Sequence, residues 1–175
     1  MTPREAYEFA KEHGPSEETR EIVCKDLEWL HEYAYYIDGP HEKTREAACR
    51  DPRYAYAYAY HVDKCPHEDT RNAAYKDPEH AWLYALNVDK CPSDDSRKIA
   101  CNDPSSAYYY ALEVDKCPRD DTREAACKDS EYAYYYAKDV DKCPRDDTRE
   151  AVYQSPEYAC QYALDVEKKP NDYIR

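Results

Sequence analysis

Glycine is nearly missing from this chain, with two in 175 residues. That excludes a flexible linker and any Gly-rich loop built to cradle phosphate. The usual core formers are scarce as well. Leu, Ile, Val and Phe together make 18 residues, and the formal net charge is -13, a combination that by composition alone belongs to disordered chains. No apolar run approaches the roughly 18 residues of a membrane span, and Met1–Ala10 has no basic-then-apolar design of a secretion signal. The expectation is a cytoplasmic chain that makes no membrane contact, with its nine Cys kept reduced. There is no Cys-x-x-Cys pair for zinc and no Gly-x-Ser-x-Gly turn for a serine nucleophile. With 38 acids against 25 basic side chains, direct binding to nucleic-acid phosphates is disfavoured.

What the chain has in abundance is Tyr and Ala, 21 and 22 residues respectively. A core of Tyr on Ala still buries apolar area, because each ring hides about 150–250 Å². The two residue types are also periodic. Pro40–Cys65, Pro66–Cys91, Pro92–Cys117, Pro118–Cys143 and Pro144–Lys169 are each 26 residues, and Pro15–Gly39 is a 25-residue copy. Pro3–Gly14, within residues 1–14, matches the second half of a unit, and Pro170–Arg175 matches the start of another. The sequence shows no domain boundary inside this array.

Each unit reads as two helices. The first, such as the one opening at Pro118, starts with Pro and acids that suit the positive end of the helix dipole. The second begins at an Asp-Pro or Ser-Pro step (Asp51, Asp77, Asp103, Ser155), an N-cap followed by Pro at the first helical position. It carries the stripe Ala133, Tyr136, Ala137, Val140 at i, i+3, i+4, i+7, repeated as Ala55/Tyr58/Ala59/Val62 and in the other copies. One hairpin cannot bury so narrow a stripe alone, so hairpins must stack. The predicted fold is all-α, an α-solenoid of about six 26-residue helical hairpins with a half-repeat cap at each end.

The pattern Asp77-Pro78, Ala81, Tyr84-Ala85, Val88-Asp89 and its counterparts resembles a tandem α-helical repeat of roughly this length in proteins of bacteriophages and other viruses, mostly of unassigned function. The resemblance covers nearly the whole chain. It implies a repeat architecture and a host-cytoplasm setting, and it carries no catalytic residues over.

Four groups of side chains are candidates for chemistry. Cys65, Cys91, Cys117 and Cys143 share one place in the unit, and Cys24, Cys49, Cys101 and Cys127 another. Both sets are expected to pack as small hydrophobes, since equivalent positions on neighbouring helices lie too far apart for disulfides. His61, Cys65 and His67 form the one trio with metal-ligand potential, expected instead as surface or cap residues. No cofactor is indicated. Second, Arg20, Arg45, Arg71, Arg97, Arg123 and Arg149 recur with Asp38, Asp63, Asp89, Asp115, Asp141 and Glu167 at the same period, which predicts an Arg–carboxylate ladder between units rather than an anion site.

The other two groups are surfaces. At 100° per residue, Leu83, Tyr109 and Tyr135 fall opposite the core stripe, a candidate Tyr ridge for a partner. The acid pairs Asp94/Asp95, Asp120/Asp121 and Asp146/Asp147 recur once per unit and could present a negative field to a basic groove. With no nucleophile–base pair to nominate, the predicted role is non-enzymatic. It is a protein-binding module, most specifically an acidic viral inhibitor or decoy that occupies a basic, nucleic-acid-binding surface of a host defence protein. Two alternatives stand beside it: a self-associating scaffold, and a sponge for small nucleotides using the Arg row.

Overall fold

The computed structural model describes residues 1–168; the tail Pro170–Arg175, read above as an unfinished repeat, lies outside them. The described chain is helical throughout and has no strand. It divides into two compact units, Met1–Lys90 and Cys91–Arg175, at the junction between two repeats. The first unit holds α1 (Pro3–His13), α2 (Glu17–Val23), α3 (Leu27–Tyr33), α4 (Glu42–Ala48), α5 (Pro52–Ala57), α6 (Glu68–Ala74) and α7 (Pro78–Tyr84). The second holds α8 (Asp94–Ala100), α9 (Pro104–Tyr109), α10 (Asp120–Ala126), α11 (Ser130–Tyr135), α12 (Asp146–Val152) and α13 (Pro156–Asp165). This is the helical-repeat architecture of the solenoid class.

Proline and Asp set where the second helix of each hairpin begins. Pro52, Pro78 and Pro104 sit in the first helical turn, and the side chains of Asp51, Asp77 and Asp103 accept a backbone N–H from that turn. Pro costs nothing there because its missing N–H has no intrahelical acceptor. The prolines before the first helices are placed differently from expectation. α10 starts at Asp120 with Arg119 as N-cap, so Pro118 precedes the cap instead of opening the helix. The same holds for Pro15, Pro40, Pro66, Pro92 and Pro144. Their fixed φ stiffens the entry into the helix, and the acids that follow occupy the first turn.

An unforeseen feature ends five of the six second helices, all but α13. Ala34–Asp38, Tyr58–Asp63, Ala85–Asp89, Tyr110–Asp115 and Tyr136–Asp141 continue their helices as π-helical turns. The i→i+5 bonding of such a turn brings residues five apart onto one face. Lys64, Lys90, Lys116 and Lys142 then close the turn in the left-handed region, φ 55–56°. That conformation costs a non-Gly residue about 1–2 kcal/mol. The 25-residue copy uses Gly39 there, at φ 72°.

The predicted stripes are the core. Tyr33, Tyr58, Tyr84, Tyr110, Tyr136 and Tyr162 are all 0% exposed, and all but Tyr110 cluster with Ala of neighbouring helices. The clusters join successive hairpins within a unit. Leu30 and Ala34 meet Ala47, Ala48 and Tyr58 in the first unit. Tyr108 and Ala111 meet Ala126, Tyr136 and Val140 in the second. α1 closes the first unit by laying Ala6 and Ala10 on Val23 and Tyr33, the half-repeat cap that the sequence predicts.

Candidate functional site

Each hairpin is locked by one polar cluster, built from Thr, Arg, Tyr and Asp. In the hairpin of α10 and α11, the Tyr136 hydroxyl meets Thr122 Oγ1 at 2.9 Å and accepts the Arg119 backbone N–H at 3.0 Å. The two hydroxyls also lie within bonding distance of the Arg119 carbonyl, so the buried ring satisfies both backbone groups of the first helix's N-cap. Beside it, the Arg123 guanidinium lies over the Tyr136 ring, 5.8 Å from its centroid, and donates to Asp141 at 3.0 Å through Nε. Asp141 is five residues after Tyr136, and the π turn brings it to the same face. The cluster recurs as Thr44/Arg45/Tyr58/Asp63, Thr70/Arg71/Tyr84/Asp89 and Ser96/Arg97/Tyr110/Asp115. Arg149 takes Glu167 in the last copy and Arg20 takes Asp38 in the first.

This corrects the ladder predicted between units. The partners are 18 residues apart, so every one of these pairs closes inside its own hairpin. In an antiparallel hairpin the start of the first helix lies beside the end of the second, which is where Arg and Asp stand. The carboxylates are almost fully buried, from 0% for Asp141 to 9% for Asp89. Bonding to these carboxylates raises the pKa of Arg45, Arg71 and Arg97, and fixes them as cations. Bridging between hairpins falls to other groups. Arg145 reaches Asp141 at 3.2 Å, and Tyr108 donates to Asp139 at 3.0 Å. Tyr56, accepting from Asn87 at 3.0 Å, does the same in the first unit.

The acid pairs stand free of the core in three consecutive hairpins of the second unit. Asp94, Asp120 and Asp146 have side chains 96%, 100% and 100% exposed. Each is still held in one orientation, because Arg97, Arg123 and Arg149 donate to them through Nη1 at 2.7–2.8 Å. One guanidinium thus joins a buried carboxylate to an exposed one. Asp95, Asp121 and Asp147 are exposed beside them.

The expected Tyr ridge is not there. Tyr109 is 39% exposed, but Tyr135 is half-buried and packs against Tyr108, Tyr132 and Tyr134. Leu83 is half-buried and belongs to the other unit. Tyr135 is drawn in because its large neighbours Tyr108 and Tyr134 lie between the hairpins, so the side opposite the core stripe is partly covered. Three of the exposed Tyr rings lie elsewhere, in the first unit: Tyr35 at 47%, Tyr36 at 65% and Tyr60 at 45%.

The cysteines split into two kinds. Cys24, Cys49, Cys101 and Cys127 are buried or half-buried, and desolvation pushes the thiols of Cys49 and Cys101 up to about 11 and that of Cys127 up to about 12, keeping them protonated at neutral pH. Where Tyr replaces this Cys, its hydroxyl reaches the clasp acid: Tyr75 to Asp89 at 3.0 Å and Tyr153 to Glu167 at 3.1 Å. The second set does not pack as expected. Cys65, Cys91, Cys117 and Cys143 are exposed, since each follows the left-handed Lys in a connection between hairpins. All nine are free thiols.

The His61/Cys65/His67 trio is not assembled. His67 caps α6, its Nδ1 accepting the Asp69 N–H at 3.3 Å, while His61 stacks edge-on to Tyr60 and His31. Among the described residues, Asp77, Glu79 and His80 alone bring three ligand atoms within 4.8 Å, and there Asp77 is occupied in capping α7 and in bonding His80 at 2.6 Å. A cleft of about 510 Å³ lies between two hairpins of the first unit and is lined by Arg45, Glu46, Cys49, His67, Asp69 and Lys76. Its Arg is taken up by Asp63 and its thiol is held protonated.

His31 is a further group that periodicity could not reveal. Its Nδ1 is buried and has no hydrogen-bond partner. Burial first, then the neighbouring His61, lowers its pKa below the ordinary 6.5, with Glu32 opposing. Folding therefore favours the neutral ring. Its contribution is complete above pH 6.5 and is lost as pH falls toward the folded pKa. Urea titrations from about pH 7 to about pH 5 are expected to show stability falling in that window, and His31→Phe is expected to flatten the fall. An unchanged slope in that variant would assign the acid sensitivity to other groups.

Comparison with protein-family models, curated proteins and solved structures returned no match. No helix among the described residues is long and apolar enough to cross a membrane.

Proposed function

We propose that this chain is a non-enzymatic binding module whose second unit presents fixed carboxylates to a basic protein surface, in the manner of an acidic inhibitor or decoy for a nucleic-acid-binding site. One observation carries the reading. Asp94, Asp120 and Asp146 are fully in solvent yet oriented by an Arg whose other bonds lie in the core. Free surface acids lose rotamer freedom on binding; these are already held, which lowers that part of the association cost. Even with Arg119 and Arg145 included, which pair with Asp121 and Asp141, the buried carboxylates, the exposed Asp side chains and their exposed neighbours outnumber the guanidiniums over the three places together. The overall charge of -13 adds long-range attraction to a positive partner. The likeness of the repeat to those of viral proteins supports a host target, in the host cytoplasm.

The test is competition. Basic host proteins captured by the chain are assayed for release of bound nucleic acid, with the wild type and with the Asp94/Asp95/Asp120/Asp121/Asp146/Asp147→Asn variant. Displacement by the wild type that weakens between low and high salt and disappears in the variant supports the reading. Displacement that survives in the variant, or no basic partner at all, refutes it. The scaffold and nucleotide alternatives have no structural observation in their favour: the Arg row is occupied by buried carboxylates.

A further inference from the structure

The first unit carries a second surface, made of rings. Two hairpins contribute: His31 from α3, Tyr35 and Tyr36 from the π turn after it, and Tyr60 and His61 from the π turn after α5. Tyr35 and Tyr36 meet edge to face at 4.7 Å between centroids, and His61 stands edge-on to Tyr35 at 5.7 Å and to Tyr60 at 4.8 Å. His31 closes the back of the group against His61 at 5.5 Å. Three of the eight exposed large hydrophobic side chains of the described residues are here, in one continuous ring network.

These exposed rings have no cation over them, unlike several rings elsewhere in the chain. The core rings Tyr58, Tyr84, Tyr110 and Tyr136 each have an Arg of their own hairpin within 6 Å of the centroid. Tyr7, Tyr54 and Tyr134 are likewise covered by Lys11, Arg53 and Lys138. None of the described Lys or Arg lies over Tyr35, Tyr36 or Tyr60, and the charge acting on His31 besides His61 is that of Glu32. The patch thus offers Tyr36 and the outer sides of Tyr35 and Tyr60, whose other faces stack on His31 and Tyr56, with hydroxyl rims and no exposed aliphatic side chain. An apolar helix needs aliphatic area for docking, whereas aromatic faces grouped in this way attract a guanidinium or ammonium.

We infer that the His31/Tyr35/Tyr36/Tyr60/His61 patch is a seat for the Arg side chain of a basic polypeptide segment. The charge of the occupant rests on the basic-partner reading above; the location is independent of it, being in the other unit and made of other residues. Arg is favoured over Lys because its planar guanidinium stacks on a ring while its N–H edges still reach the Tyr hydroxyls and water.

The experiment titrates the intact chain with a short Arg-containing peptide and with its citrulline counterpart, which keeps the planar side chain but not the charge. Tyr ring resonances and affinity are followed in the wild type, in Tyr36→Ala and Tyr60→Ala, and in the six-site Asp→Asn variant. Both Tyr side chains are about half in solvent, and the far-ultraviolet spectrum and melting curve check that each variant folds. The expected result is Arg peptide binding that shifts the Tyr35, Tyr36 and Tyr60 rings, falls at least about fivefold in each Tyr variant, and is lost with citrulline. The Asp→Asn variant keeps those ring shifts. Equal binding of citrulline, or binding indifferent to Tyr36 and Tyr60 but lost with the aspartates, overturns the seat and leaves the acidic-surface reading standing. No Arg peptide binding to any form overturns both.

Discussion

Asp141→Asn is expected to lower the unfolding free energy by about 3 kcal/mol. The carboxylate is fully buried and its partner Arg123 is 6% exposed, so the substitution leaves a guanidinium in the interior facing a neutral amide. Loss of one member of a buried pair generally costs about 3–5 kcal/mol. The lower end applies because Arg123 keeps Asp120 at 2.8 Å and Asp147 at 3.7 Å. Asp120→Asn is the matched control: it touches the same guanidinium from a fully exposed position, and exposed pairs contribute little. Chemical denaturation of the two variants should therefore separate widely. If both shift the midpoint alike, the buried clasp is not what orders the hairpin.

Tyr136→Ala should be more damaging still, by about 3–5 kcal/mol, because it opens a ring-sized cavity in a core that two hairpins share. The ring is 0% exposed and packs with Tyr108, Ala111 and Ala126. Tyr136→Phe isolates the hydroxyl. It keeps the volume but strands the Arg119 N–H and takes one of its two partners from the Thr122 hydroxyl, for about 1–3 kcal/mol. Combining it with Thr122→Val should cost less than the two single losses added together, since both changes break the same Thr122–Tyr136 bond. Strict additivity would mean that water takes the place of the phenol without penalty.

Much of this was legible before any coordinates. The 26-residue period, the Asp-Pro starts and the Ala/Tyr/Ala/Val stripe specify paired helices and the buried face of the second, because helical spacing and Pro placement are local rules. The Arg–Asp pairing was legible too, but not its address. A period repeated identically in every copy is silent on whether i+18 or a neighbouring copy supplies the partner, and the antiparallel turn decides for the former. The π turns were hidden because Tyr58, Val62 and Asp63 fit an ordinary helical stripe as far as Val62, and it is the acid one step later that demands the wider turn. The exposure of Cys65 and its counterparts follows from the left-handed Lys before them, a conformation that sequence rules reserve for Gly or Asn.

The aromatic patch escaped notice for a different reason. His31, Tyr35 and Tyr36 lie in the most divergent copy, where departures from the repeat are naturally assigned to capping. Tyr109 and Tyr135 attracted attention because they recur. Here the non-repeating Tyr35 and Tyr36 are more exposed than Tyr109, and the recurring Tyr135 is tucked between hairpins.

The closure of every clasp within a single hairpin bears on how such a chain can lengthen or shorten. A cut at the Cys-Pro junction severs no pair of the Arg/Thr/Tyr/Asp clusters, only bridges such as Arg145–Asp141, so one whole module can be gained or lost with every cluster intact. The 25-residue copy illustrates the tolerance: it is shorter at this seam, with Gly39 in place of Lys-Cys, while Arg20 and Asp38 remain paired at 2.7 Å. Copy number is therefore the easiest property of this protein for recombination to change, and with it the count of exposed carboxylates on offer.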